Sequence, residues 1–539
     1  MKPIGRQGDR PVPPRADAGA RPARASLAEE SPERYRDLMR LLGERSELPS
    51  DSIDALAEGR MAVILTGQQP GLLGGPLYTL YKVLTAVAQA RRVREAGSPA
   101  IAAFWCVGDD TDHDEVAPAS WPRPGEAPRR LRDEKPAEGR RIGGLELERM
   151  APARALLTQD WPGSIEALAA IDACLAQAED EGGGWSAFLR AVLRALVRPE
   201  QLLFVDGGAP EVVAAAQSWL WRFLPHRSRL AAGIAAQAAH ERAEGREPAL
   251  EGEEASRALF VLEGDGRRPL GLDEPVAPGA TLLPNVVLRP ALQEHLLPVS
   301  LVICGDGEIA YRKLLGPVYE LLGRPAAPLA SRFAATLFPP VFGGDPLAPD
   351  PVALLEETDA AIERWGRSEI DPALLERLAE ARAQLSASLA DLDEPLGALD
   401  PSLAQLARSA GGKADFQLGR IEEAILAKGR QKLRRTRPEL ADLKESLLPR
   451  GRPQERSFTL WTPLLYEGSG AMEDLLGAVR DWLEAGRPGQ TLLALREPAA
   501  DGETGAGAAP GRPAVEAARA DTAGAPGAPG APAQRKEER

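Results

Sequence analysis

The chain has 539 residues, of which 44% are hydrophobic and 27% charged, with a formal net charge of -14. That length exceeds one compact core and predicts a large domain with insertions, or two to three domains, plus tails. A pI near 5.1 argues against a partner such as nucleic acid or anionic lipid. No window holds the run of about 18 apolar residues that a membrane span needs, and Met1 to Arg24 carries no apolar signal core, so a cytoplasmic protein with a small-molecule ligand or a protein partner is expected.

Residues 1–25, and everything after about Pro488, are rich in Pro, Gly, Ala and charge and are expected to be unordered, the last stretch as a low-complexity tail. Between them, short apolar runs alternate with helical patterns: MAVILTG, a helix from Pro76, AIAAFWCVG, and later QLLFVD and SLVICG. This is the signature of a parallel sheet covered by helices, so the fold class is α/β, a Rossmann-like parallel-sheet core with helical insertions over residues 26–345. The stretch 116–200 reads as an insertion between two core strands. Residues 351–450 are almost purely helical, with leucines at 385, 389, 392, 396, 399, 403 and 406 and again at 426, 433, 440 and 447, a coiled-coil arm. Gly411-Gly412 would let two helices fold back, while Pro395, Pro401 and Pro438 interrupt the pattern. The arm serves either as a dimerisation device or as an intrachain hairpin, and residues 451–487 return the chain to the core.

The strongest local feature is ILTGQQPGLLGGPLYTLYK, residues 64–82, where a strand, a turn with Gly67, Gly71, Gly74 and Gly75, and a helix opening at Pro76 place free amides toward an anion. It is neither GxGxxG nor GxxxxGK[ST], so it names no nucleotide. Gln68 and Gln69 add donors and acceptors, and Tyr78 and Lys82 lie one turn apart on the face left free by the apolar stripe. The next strand ends in WCVGDDTDHDEV, whose carboxylates Asp109, Asp110, Asp112, Asp114 and Glu115 call for cations, donors or a bound amine. Magnesium is a candidate there. Asp206, Arg289, Glu294, Glu308 and Tyr311 also follow strands or open helices, with Glu308 and Arg312 spaced as an i,i+4 ion pair. Cys106, Cys174 and Cys304 form no CxxC pair; zinc on Cys106, Cys304 and His113 is the less favoured reading beside buried free thiols, and no metal site is assigned.

These segments, with LRPALQEHLLP, GDGEIAYRKLLGPVYELLG and LLPRGRPQERSF, resemble the cysteine ligases of bacillithiol biosynthesis, the BshC family, in order from about residue 27 to 485. The resemblance implies a Rossmann-like core, a coiled-coil arm through which subunits form a homodimer, and addition of L-cysteine to the amine of glucosaminyl-malate with ATP as co-substrate. It carries over Gly67, Gln68, Gln69, Gly71, Pro76, Tyr78, Lys82, Asp110, Asp112, Glu115, Arg289, Glu294, Glu308, Tyr311, Gln454, Glu455 and Arg456 as site residues. Lys82 and Arg289 would offset negative charge, and one of Asp110, Asp112 or Glu115 would hold metal or take the amine's proton. The chain departs from the family where an EDHDF-like stretch and a following Asn-His are replaced by Asp109-Asp110-Thr111-Asp112-His113 and Ala117-Pro118, and it lacks HIGH and KMSKS motifs. A ligase with another amine substrate, or a non-catalytic nucleotide-responsive coiled-coil scaffold, are the alternatives.

Overall fold

The computed structural model describes residues 2–7, 25–123, 126–137, 139–250, 257–338, 355, 357–437, 440, 443–486 and 490–495. In chain order the strands are β1 (Lys2–Gln7), β2 (Ala62–Gln68), β3 (Ala100–Cys106), β4 (Pro118–Arg123), β5 (Glu126–Arg132), β6 (Leu202–Asp206), β7 (Leu259–Glu263), β8 (Gly266–Pro269), β9 (Leu282–Pro284), β10 (Val299–Cys304), β11 (Leu329–Ser331), β12 (Ala335–Phe338) and β13 (Gln490–Ala494). The four apolar runs read from the sequence become β2, β3, β6 and β10 of a five-stranded parallel sheet ordered β11-β10-β2-β3-β6, whose edge strand β11 was not among them. Numbered within the sheet, that is 3-2-1-4-5, the doubly wound order, with its switch point between β2 and β10.

Both faces of this sheet are covered, which is why its strands read as continuous apolar runs rather than alternating ones. On one face Ala102, Phe104 and Cys106 pack into a core with the helices Leu77–Glu95, Trp185–Val197 and Ala471–Ala485; on the other, Ala103, Trp105 and Cys304 pack with Pro210–Phe223 and Arg289–Leu296. The helix Leu77–Glu95 is buried continuously from Thr79 to Ala90, around its whole circumference. The free face expected for Tyr78 and Lys82 is therefore occupied: Lys82 is buried against Gly67, Gln68 and Glu308, and Tyr78 lies against Gln68 and Arg332.

The insertion 116–200 is the hairpin β4-β5 followed by helices Ala151–Asp160, Ile165–Asp180 and Trp185–Val197. A second insertion, not read from the sequence, is the small antiparallel sheet β8-β7-β9. A third sheet, β1-β13-β12, pairs the N-terminal strand with Gln490–Ala494. Its β1 and β13 fall within stretches expected to be unordered; the remainder of those stretches, Pro438 and the boundary near 345–351 lie outside the described residues.

The arm is a hairpin of helices Pro372–Asp391 and Asp393–Leu399 returning along Pro401–Thr436. The reversal expected at Gly411-Gly412 is instead at Asp400, and both glycines sit inside the 36-residue return helix. Asp400 is extended and accepts from the Ser402 N–H at 2.7 Å, with Pro401 at the first helical position. An N-cap followed by proline starts a helix more effectively than a glycine pair stops one. Pro395 is accommodated within Asp393–Leu399. Leu433, Leu440 and Leu447 bury against Trp365 and Phe338 rather than continuing the seam.

Candidate active site

A cavity of about 620 Å³ opens at the carboxyl ends of β2, β3 and β10, at the switch point of the sheet. Both its place and its size suit a small-molecule reactant site. Gly67 is the penultimate residue of β2, and a Cβ there would stand 2.6 Å from the Trp105 carbonyl oxygen, so only glycine lets β2 meet β3 so closely. Past it, Gln68 and Gln69 turn into a hydrogen-bonded belt around the cavity. Gln68 Nε2 donates to Gln69 Oε1 and to the Tyr78 hydroxyl, each at 2.8 Å. Gln69 Nε2 donates to Glu115 Oε2 at 2.8 Å and to Asp110 Oδ2 at 3.2 Å. Asp110 pairs with Arg267, which lies 3.3 Å from Asp109, and Arg289 approaches the same Asp109 oxygen at 3.6 Å. Thr111, Asp112, Glu308, Tyr311 and Arg312 complete this side of the lining.

The environments split the two carboxylates that share Gln69. For Asp110, burial is opposed by Arg267, Arg289 and the Thr111 and Asp112 amides, which carry it below the ordinary carboxylate value. For Glu115, burial raises the carboxyl; the Gln69 donor works against this, Asp112 and Asp110 reinforce it, and the outcome is upward. Glu308 is held low despite burial by Lys82 and by the Gly305 amide. Burial pushes the Tyr311 phenol up to about 12.

Lys82 does not line the cavity. Its ammonium is 3% exposed and donates to the Gly67 carbonyl at 2.8 Å and Gln68 Oε1 at 3.0 Å, and pairs with Glu308 at 2.5 Å. It is a strut beneath Gln68 rather than a free cation, and it replaces the expected Glu308–Arg312 pair. Gly71, Gly74, Gly75 and Pro76 are also outside the lining. The helix starts one residue later than expected, at Leu77, whose N–H donates to the Phe458 carbonyl at 2.7 Å, and Leu460 N–H donates back to Gly75. The returning chain thus covers the helix end that was expected to meet an anion. Gly75, at φ 94°, serves that turn.

Asp206 lines a neighbouring cavity of about 330 Å³, accepting from the Gly208 N–H at 2.9 Å. Glu294 is turned away from the site and accepts from the Tyr319 hydroxyl at 2.6 Å. Gln454 exchanges two hydrogen bonds with the Leu337 backbone, and Glu455 is held by Arg332 at 2.5 and 3.0 Å. Arg456 is exposed outside the lining, near enough to act electrostatically on Tyr78. His113 is fixed by Asp133 at 2.8 Å, anchoring the short helix that carries Glu115. Cys106 and Cys304 are buried on opposite faces of the sheet with thiols raised by burial, so they and His113 do not converge. Among the described residues no group of three His, Cys, Asp or Glu side chains is placed to hold a metal ion. Arg267, Phe260 and Asn285 were not singled out from the sequence; they come from the second insertion and the segment after it, where no motif or periodicity points to a site.

Residues 20–277 and 277–333 match the family described as bacillithiol biosynthesis BshC, N-terminal Rossmann-like domain, and residues 350–481 match its C-terminal coiled-coil domain. The chain belongs to the BshC family. Relatives from Geobacillus thermodenitrificans and Geobacillus kaustophilus, each named "Putative cysteine ligase BshC", are 29% and 27% identical over 76% and 79% of this chain and 81% and 83% of their own. A relative from Heliobacterium modesticaldum with the same name is 27% identical over 87% of this chain and 90% of its own. Membership makes this BshC chain a ligase-family enzyme with a Rossmann-like core and coiled-coil domain, and the described residues include no helix long and apolar enough to cross a membrane. Among solved structures, the tyrosyl-tRNA synthetase from Aeropyrum pernix matches with a TM-score of 0.21 at 15% identity, over 82% of this chain and 99% of that one, a likeness on which nothing here depends.

Proposed function

We propose that this BshC chain joins L-cysteine to the amine of glucosaminyl-malate, the last step of bacillithiol biosynthesis, in the cytoplasm and at the expense of ATP. The observation that carries this reading is the cavity at the switch point, where Asp110 and Glu115 share Gln69 yet are pushed in opposite directions in pKa. Two carboxylates separated in this way divide the work of holding charge and moving a proton. An oxygen of the cysteine carboxylate attacks a phosphorus of ATP, the P–O bond to the departing ADP or pyrophosphate breaks, and a mixed acyl–phosphoryl anhydride results. The amine then attacks the acyl carbon, the C–N bond forms, and the C–O bond to phosphate breaks. Glu115 takes the proton that the amine sheds, while Asp110 stays ionised and fixes Arg267. Lys82 acts by positioning Gln68 and Glu308. Magnesium would accompany the ATP phosphates, and among the described residues no three ligating side chains are grouped to cage it.

Purified protein given cysteine, glucosaminyl-malate and ATP is expected to yield a thiol of the coupled mass by mass spectrometry. Absence of that product, with normal thiol levels in a deletion strain, would refute the proposal. A different amine substrate is the second reading. Thr111 favours it, because it lines the cavity where the family pattern has a histidine.

A further inference from the structure

The second cavity, of about 330 Å³, lies where the edge strand β6 meets the starts of the helices Trp185–Val197 and Pro210–Phe223. It is separate from the reactant cavity, since Gly108 lines the one and Asp110 the other. Most of its charges pair off: Arg45 with Glu211, Arg190 with Glu181, and Arg140 with Glu146 at 2.6 Å. Apart from the exposed Asp265, one charge of each sign remains, Asp206 and Arg141, and among the described residues neither has an ion-pair partner. Both residues are half-buried and face the cavity. Gly208 sets their spacing. Its N–H donates to Asp206 Oδ1 at 2.9 Å and its carbonyl accepts from Arg141 Nη1 at 3.2 Å, so opposite charges are fixed one residue apart. An α-amino acid carries its ammonium and its carboxylate at that same spacing. Burial raises the Asp206 carboxyl; the Gly208 amide, the Ser186 hydroxyl and Arg190 oppose this, Asp109 reinforces it, and the outcome is upward. Such a carboxylate lacks a cation in contact with it, which an ammonium from outside would supply.

We propose that this cavity, outside the reactant cavity, binds one molecule of a small α-amino acid as its zwitterion, with Asp206 taking the ammonium and Arg141 the carboxylate. Charge-assisted hydrogen bonds are roughly twice as strong as neutral ones, and a zwitterion makes them at both ends. A lone anion would leave Asp206 uncompensated, and a lone cation would do the same to Arg141. The volume is at the small end of the range for ligand cavities, as a ligand of this size requires. The wall closes tightly on the carboxylate: a Cβ at Gly108 would stand 2.5 Å from both Asp206 Oδ1 and Ser186 Oγ, so glycine is needed there. The inference does not rest on the ligase reading.

The test is calorimetric titration of the full-length protein with free glycine and L-serine, and with methylammonium and acetate as the two halves of the zwitterion. At least one of the amino acids binds, and each half binds about tenfold or more weakly than it, since a half makes one of the two charge-assisted contacts. Asp206→Asn, which keeps an acceptor for the Gly208 N–H, lowers the amino-acid affinity by about tenfold or more. Arg141→Gln does the same; it gives up only two bonds to backbone carbonyls, so it serves as the second variant should Asp206→Asn melt early. Glu115→Gln, in the reactant cavity, leaves the affinity unchanged. Binding of neither amino acid, a half that binds as tightly as the whole, or unchanged affinity in a folded Asp206→Asn or Arg141→Gln protein overturns the proposal. So does an affinity that falls with Glu115→Gln while the other two variants bind normally, which would place the amino acid in the reactant cavity.

Discussion

Glu115 and Asp110 accept from the two hydrogens of one amide nitrogen, and the consequence is a testable acid limb. Because the Glu115 carboxyl is raised, with burial as the leading cause, its deprotonation sets in above the ordinary glutamate value of about 4.3. The rate of coupling is expected to climb with pH through that region and then level. Glu115→Gln should remove the limb and lower kcat by about 10² to 10⁴-fold, with the KM for ATP little changed, as measured in a pH series of initial rates. The sign for stability is opposite. A carboxyl raised in the folded state binds more protons than in the unfolded one, so it costs stability as pH rises through the window, and Glu115→Gln should melt higher than wild type at pH 8 but not at pH 4. At this scale the sequence was informative about location and less so about role. The carboxylate run after β3 and the Gln68-Gln69 pair did mark the cavity. The sequence sets Lys82 against an anionic ligand, and nothing local reveals that Gly67, Gln68 and the distant Glu308 take up its ammonium instead. Arg267 was missed for the same reason, since its partners lie more than 150 positions away in the chain.

Among elements, the buried pair Arg332–Glu455 ties the β11-β12 connection to the segment returning from the arm, with side chains 5% and 0% exposed. Removing Arg332 takes the neutralising charge from a fully buried carboxylate, so Arg332→Met is expected to cost about 3 to 5 kcal/mol in denaturant unfolding, and adding Glu455→Leu should recover a large part of it. Gly67→Ala would force a Cβ onto the Trp105 carbonyl, and a loss of about 1 to 3 kcal/mol is expected in the same experiment. Four of the five strands of the central sheet were legible because burial on both faces writes itself as unbroken apolar runs, while the three-residue edge strand β11 is too short to do so. Strands β7 and β8 were not, because their burial is mixed and no alternation survives in them, and β9, though buried, is only three residues long. In the arm, the leucine spacing announced helices correctly, but the turn is set by Asp400-Pro401, a start signal, and the conspicuous Gly411-Gly412 pair is simply part of a helix packed beside Leu389.

For the whole molecule, the arm leaves Leu399 79%, Leu406 65% and Phe416 64% exposed near the tip and along the return helix. Large apolar side chains in such numbers on one hairpin mark an interaction surface, and a second copy of the chain is the partner we propose. Leu399→Glu with Leu406→Glu should convert dimer to monomer in light scattering while leaving the melting of the core unchanged; a wild-type protein that is monomeric at micromolar concentration would speak against the dimer. The central claim is that the switch-point cavity activates a carboxylate and couples it to an amine. The most direct measurement is isotope transfer: cysteine labelled with ¹⁸O in its carboxylate is incubated with protein, ATP and glucosaminyl-malate, and the products are weighed. One ¹⁸O atom should appear in the phosphate or AMP released, in step with coupled thiol, and Glu115→Gln should suppress both. Coupled thiol without label in either phosphorus-bearing product would contradict the proposal.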